Sequence, residues 1–289
     1  MFLAQTTTAL QQFLTPFRQK DKTIGFVPTM GALHEGHLSL IRQSKEQCDV
    51  TVCSIFVNPT QFNDASDLEK YPRTVAEDIK LLTSISTDVL LLPSVNEVYP
   101  PGLDTQLSLE LGALDQVMEG AFRPGHFTGM AQVVKRLLDM VQPHQLLMGQ
   151  KDFQQASIVR SMLQQLHIPV ELVVCPIVRE ADGLAMSSRN RRLPPEDRQR
   201  ATLLHEVLSL AAHQMGKVPP AEIQQNALQR LQIPGFKPEY FDIVDGNTLL
   251  PIKNFEETDF VVACTAVWVG AIRLIDNMIL KQAQALSPA

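Results

Sequence analysis

Val27-Pro28-Thr29-Met30-Gly31-Ala32-Leu33-His34-Glu35-Gly36-His37-Leu38 reads as the end of a strand, a glycine-bearing turn and the first turn of a helix. Ahead of it, Thr23 to Val27 is a short apolar run suited to a buried parallel strand. After it, Leu38, Ile41 and Cys48, interleaved with Arg42, Lys45 and Glu46, trace a helical stripe. A strand-to-helix junction carries backbone N–H groups at the positive end of the helix dipole, and these favour an anion such as phosphate. Residues i and i+3 of a helix share a face, so the spacing aims His34 and His37 at one ligand, and Gly36 between them lets a bulky group approach the backbone. A zinc site needs three or four ligands, and no further Cys, His or Asp at ligand spacing accompanies the pair.

Working outward, the same strand, turn and helix pattern repeats. Asp49 to Val57 predicts a second buried strand, ending in Val57-Asn58-Pro59-Thr60-Gln61-Phe62; Pro59 stops it, and the amides of Asn58 and Gln61 emerge at its carboxyl end, where ligands of doubly wound sheets gather. Asp88 to Leu92 and Gln145 to Met148 predict further strands, and Val170 to Val174 a last one. Helices are expected over 6–18, through Leu82, from Met130 to Val141 with Thr128 as its cap, and on to Leu166. Gln106 to Leu109 reads as an edge strand. The alternation argues for a parallel sheet with right-handed crossovers. Lys151, in Gly149-Gln150-Lys151-Asp152, stands near a helix N-terminus where the dipole disfavours a cation, which suggests a bound anion. Past Pro194 the expectation is helices over 196–215 and 221–231, then strands over 240–244, 260–269 and 272–275. Two domains are expected, 1–178 and a smaller α+β domain over 179–289 acting as a lid.

A hydrophobic fraction of 45% over 289 residues supports sizeable cores and excludes a disordered chain. The formal charge of −6 offers no general basic surface for nucleic acid or an anionic membrane, so small anions need locally placed cations. Cys48, Cys53, Cys175 and Cys264 are scattered, without CxxC spacing, and read as reduced core residues of a cytoplasmic protein. No charge precedes Arg18 and no apolar run is long enough to span a bilayer.

Five passages, Met30 to His37, Phe56 to Phe62, Arg123 to Gly129, Gly149 to Asp152 and Met186 to Asn190, together resemble the pantothenate synthetase (pantoate–β-alanine ligase) family, within the HxGH nucleotidylyltransferase and class I aminoacyl-tRNA synthetase superfamily. The resemblance implies a Rossmann-like first domain and condensation of (R)-pantoate with β-alanine through pantoyl adenylate, with release of AMP and pyrophosphate. It implies His37 as main donor, with His34, Lys151 and Arg189 as the other catalytic groups. ATP would be held by Met30, Gly31, Ala32, Leu33, His34, Glu35, Gly36, His37, Gly149, Gln150, Lys151, Asp152, Val178, Met186, Ser187, Ser188 and Arg189. Gln61 and Gln155 would orient pantoate and Gln61 also β-alanine, while Asn58, Tyr71 and Arg123 are supporting candidates. Mg²⁺ would arrive on the ATP phosphates, with Asp152 able to contact it or the ribose, and a homodimer is implied.

Two rivals stand beside that expectation. A nucleotidylyltransferase adenylating a phosphorylated small molecule would share HxGH and the serine-arginine loop but lack the paired glutamines. A non-catalytic nucleotide-binding module would tolerate loss of His37. A tRNA synthetase is disfavoured, because the acidic tail domain offers no basic face.

Overall fold

The structure is a computed structural model of the chain and describes residues 1–62 and 68–282. Two compact units emerge. The first comprises Met1–Leu111, Arg123–Gln150 and Gln155–Val178. Its strands β1 (Phe2–Ala4), β2 (Ile24–Thr29), β3 (Val50–Ile55), β4 (Val89–Leu91), β5 (Gln145–Gly149) and β6 (Glu171–Cys175) lie in the order β1-β4-β3-β2-β5-β6, each neighbouring pair parallel. Buried positions fill all of β3 and five of the six positions of β2, which is why these stretches read as unbroken apolar runs rather than alternating ones. Winding proceeds from β2 to β3 and β4 on one side and to β5 and β6 on the other, so the crevice of the sheet opens between β2 and β5.

Helices α1 (Thr7–Arg18), α2 (Glu35–Gln47), α3 (Val75–Ser84) and α4 (His126–Val141) belong to this unit, with most of α5 (Phe153–Gln165). Thr6 caps α1 by accepting the Ala9 N–H, and Leu10 and Leu14 on one face are fully buried, each contributing about 1.5–3 kcal/mol of apolar burial. The structure adds one strand and corrects two sequence expectations here. β1 precedes α1 and pairs with β4, although three residues are too few to show a period. Gln106–Leu109 forms no strand; just beyond it, Glu110 exchanges hydrogen bonds with the Gln165 side chain, which fastens the segment to α5 instead of a sheet edge. Gly125, at φ 78°, caps α4, and Thr128 falls inside the helix, because the left-handed turn ahead of α4 favours glycine.

The second unit comprises Gly112–Phe122, Lys151–Gln154 and the chain from Arg179 onward. Antiparallel strands β7 (Phe236–Asp245), β8 (Phe260–Val269) and β9 (Ile272–Gln282) form a meander, with helices α6 (Leu203–Gln214) and α7 (Pro220–Leu231) sharing a core with it. Both outer strands exceed the expected lengths because pairing with β8 carries them on. The helix expected over 196–215 is interrupted: Pro195–Arg200 is separate, and the Thr202 hydroxyl donates to the Gln199 carbonyl at the break. Inside this unit Glu119 accepts both guanidinium nitrogens of Arg273 at 2.7 Å and the Tyr240 hydroxyl at 2.9 Å, while Phe153 packs edge-on to Phe260.

Candidate active site

In the first unit the histidine turn follows β2. Gly31 at φ 80° and Ala32 at φ 49° bend the chain back, and the Thr29 hydroxyl accepts the Gly31 N–H while donating to the Ser54 carbonyl on β3. His34 is extended and forms the N-cap of α2; the His37 and Leu38 N–H groups both donate to its carbonyl. The two imidazoles are neighbours, with centroids 4.1 Å apart, through a cap and third-residue arrangement rather than two positions on one helical face. His37 Nδ1 accepts the His34 backbone N–H at 3.4 Å, which favours the neutral tautomer with its proton on Nε2. The Ala32 and Leu33 N–H groups donate to the carboxylate of Asp78, at 2.9 and 2.8 Å. Those two amides are therefore taken up by the carboxylate, while Glu35 and Gly36 open α2. The Glu35 carboxylate itself pairs with Arg42 along the helix.

The turn after β3 lies next in the sheet. Asn58 is 1% exposed and fully engaged: its Nδ2 donates to Gln61 Oε1 and the Gly129 carbonyl, and its Oδ1 accepts from Tyr99 and Thr60. With its oxygen held at 3.2 Å by Asn58, Gln61 presents its Nε2 donor 3.3 Å from Met30 Sδ. His126 Nδ1 meets the Gln61 carbonyl at 2.9 Å, and a Cβ on Gly129 would come within 2.4 Å of the Thr60 carbonyl oxygen, so α4 can approach this turn only with glycine there. Tyr71 is buried, edge-on to Phe62, and Gln155 is half-buried at the third position of α5. Its neighbour Gln154 serves the scaffold instead, accepting the Glu119 N–H and donating to the carbonyls of Leu114 and Val117.

In the second unit Lys151 stands in a short 3₁₀ turn ahead of α5, its ammonium 4.0 Å from the Asp152 carboxylate, and its carbonyl accepts from Asn277 Nδ2 at 3.0 Å. The serine-arginine loop is more regular than its composition suggests. Arg179 and Ala185 form an antiparallel bridge around a tight turn at Gly183, and Ser187 then caps a 3₁₀ turn over Ser188–Arg192 by accepting the Arg189 N–H. Arg179 forks onto Asp276 at 2.7 and 3.1 Å and also donates to the Gly183 carbonyl. Asp182 pairs with Arg198, which holds its carboxyl below the usual range.

The profile of the pantoate-β-alanine ligase family matches residues 3–279. The chain belongs to that family. It is 47% identical over 284 residues to the pantothenate synthetase of Porphyromonas gingivalis, covering 96% of this chain and 99% of the relative, and 46% identical over 287 residues to that of Bacteroides fragilis, covering 98% and 100%. The crystal structure of pantothenate synthetase from Thermus thermophilus superposes with a TM-score of 0.91 at 40% identity, covering 97% of this chain and 100% of the other. A pantoate-β-alanine ligase from Francisella tularensis, complexed with β-γ ATP and β-alanine, gives 0.80 at 34% identity, covering 99% and 100%.

As a member of the ligase family the chain is an amide-forming enzyme that uses ATP. Its thiols do not compete as nucleophiles: burial pushes Cys53 up to about 12 and Cys175 up to about 11, and raises Cys264 and Cys48 as well. Among the described residues no three of His, Cys, Asp and Glu cluster as a metal cage, and no helix is long and apolar enough to cross a membrane. Sequence reasoning missed Asp78 and Tyr99, and it named the passage holding His126 and Gly129 without their part in supporting the turn after β3. A glycine at the start of a helix, as at Gly129, was the visible signal of close backbone approach.

Proposed function

We propose that the chain activates pantoate as an acyl adenylate and then transfers the acyl group to β-alanine. A carboxylate is a poor acylating group, so its oxygen attacks the α-phosphorus of ATP, forming a mixed anhydride as pyrophosphate leaves. The β-alanine amine then attacks the acyl carbonyl, the amide forms, and AMP departs with the electron pair of the broken C–O bond. Two anions must meet in the first step, and fixed donors aimed at the developing charge lower its barrier. In this reading His37 Nε2 is the main donor, with His34 beside it, Lys151 and Arg189 neutralise the triphosphate, and the Ser187 and Ser188 hydroxyls donate hydrogen bonds to it. Gln61 and Gln155 orient pantoate, Gln61 also faces β-alanine, and Met30 and Phe62 take the pantoate methyl groups.

The observation that carries the reading lies within the first unit. The imidazole pair follows β2, the Asn58–Gln61 turn follows the adjacent β3, and Gln61 Nε2 reaches Met30 Sδ at 3.3 Å. A donor for developing phosphate charge and an amide suited to a hydroxy acid thus follow the carboxyl ends of adjacent strands. Mg²⁺ of the kind that travels on nucleotide phosphates needs only one or two protein carboxylates, and the half-exposed Asp152 suits that modest demand. Bound there, it supplies charge neutralisation of the triphosphate. A homodimer and a cytoplasmic location belong to the same proposal. The experiment is an assay with ATP, pantoate and β-alanine, each omitted in turn. AMP and pyrophosphate should form, pantothenate only with all three present; ADP as product would reject the adenylate route, and turnover requiring a phosphorylated acceptor would favour the nucleotidylyltransferase.

A further inference from the structure

Behind the histidine turn stands Asp78, 1% exposed, on the first turn of α3. Its two carboxylate oxygens accept the N–H groups of consecutive residues, Oδ2 from Ala32 at 2.9 Å and Oδ1 from Leu33 at 2.8 Å, and the Thr74 hydroxyl lies 3.3 Å from both. The fit is close, since a Cβ on Gly31 would sit 3.1 Å from Oδ2 and 3.0 Å from the Ile55 methyl. Burying a carboxylate is costly unless hydrogen bonds compensate it. A carboxylate is also the one side-chain group that offers two acceptor atoms and no donor, which is what two successive N–H groups require. An asparagine would turn an amide N–H against one of them.

We infer that Asp78 is a positioning residue for the nucleotide site, fixing the left-handed Gly31–Ala32 turn and, through Leu33, the N-cap placement of His34 and the orientation of His37. The inference rests on the reading of His37 as donor to the adenylation transition state. Ala32 holds φ 49°, a conformation non-glycine side chains disfavour, and a two-point clamp on the peptides either side of it stabilises it. The clamp also withdraws two amides from the triphosphate, leaving anion recognition on this turn to the start of α2 and the imidazoles.

Asp78→Asn and Asp78→Ala are the test, read by amide hydrogen exchange at Ala32 and Leu33, by melting temperature, and by kcat and KM for each substrate. Exchange at both amides should accelerate at least about tenfold in Asp78→Asn, as expected when one of two acceptors is lost. In the folded enzyme kcat should fall at least about tenfold, the size of a modest loss of transition-state stabilisation, with β-alanine KM within about twofold of the parent. Asp78→Ala should be worse on both counts. A folded Asp78→Asn enzyme with kcat within twofold of the parent overturns the inference, and so does a kcat loss without faster exchange at these amides. Should neither variant fold, Thr74→Val loosens the same carboxylate: faster exchange with lower kcat supports the assignment, and unchanged kcat overturns it. Exchange is measured without substrates, so failure of the adenylate reading shows separately, as absence of AMP from the parent enzyme.

Discussion

At the scale of single residues, His37 combines a favoured tautomer with a neighbour that is also an imidazole. Its Nδ1 is engaged by the chain's own backbone, which leaves Nε2 as the ring nitrogen able to carry the donor proton. His37→Ala should lower kcat by about two orders of magnitude, the usual consequence of deleting a donor to developing charge. Near-parental kcat in a single-turnover measurement would remove His37 from the catalytic set. The histidines were visible in the sequence because their chemistry is local, three positions apart in one turn. Asp78 was not, because its partners Ala32 and Leu33 lie 46 and 45 residues away and only the crossover β2-α2-β3 followed by α3 brings them together. Gln154 and Gln155 show the same limit. Adjacent and identical in type, they differ in which way each faces on α5, so residue pattern alone could not tell them apart and only the family resemblance singled out Gln155.

At the scale of elements, long apolar runs declared β2, β3, β5 and β8 plainly, since strands buried on both faces have little choice of residue. Elements defined by a partner rather than by their own pattern stayed hidden, as β1 did beside β4, and the far end of β9 beside β8. That far strand does more than complete the meander. Asp276 on β9, with its side chain 1% exposed, takes the fork of Arg179, and the next residue, Asn277, holds the Lys151 carbonyl. One stretch of β9 thereby anchors both the lysine turn and the base of the serine-arginine loop. Asp276→Asn should cost the protein about 3 kcal/mol, because removing one member leaves the guanidinium without its counter-charge in a largely buried setting. Urea unfolding measures this, and a loss under about 1 kcal/mol would assign the pair no more than the strength of a surface bridge.

At the scale of the whole molecule, an excess of six negative charges is tolerated because many carboxylates have cationic or N–H partners. Asp49 is an example: Lys22 and the Thr23 backbone and hydroxyl draw its pKa down to about 2, tying together the chain just ahead of β2 and β3. An unfolded aspartate titrates near about 3.9, so this contribution is fully present above that value and is lost as pH falls through about 2. The melting temperature should therefore drop between about pH 4 and pH 2, and Asp49→Asn, less stable at pH 7, should match the parent below pH 2. Equal melting at neutral pH would show that the clamp has no weight.

The second unit gathers residues from three separate parts of the sequence, and this has a bearing on inheritance. Glu119 and Phe153 are written in the first part of the gene, while the Arg273, Tyr240 and Phe260 they pack with are written near its end. A recombinant that exchanged everything beyond Val178 between two relatives would splice halves of one core from different parents. Viable chimaeras of this lineage should carry 112–122 and 151–154 along with the tail, travelling as one heritable block.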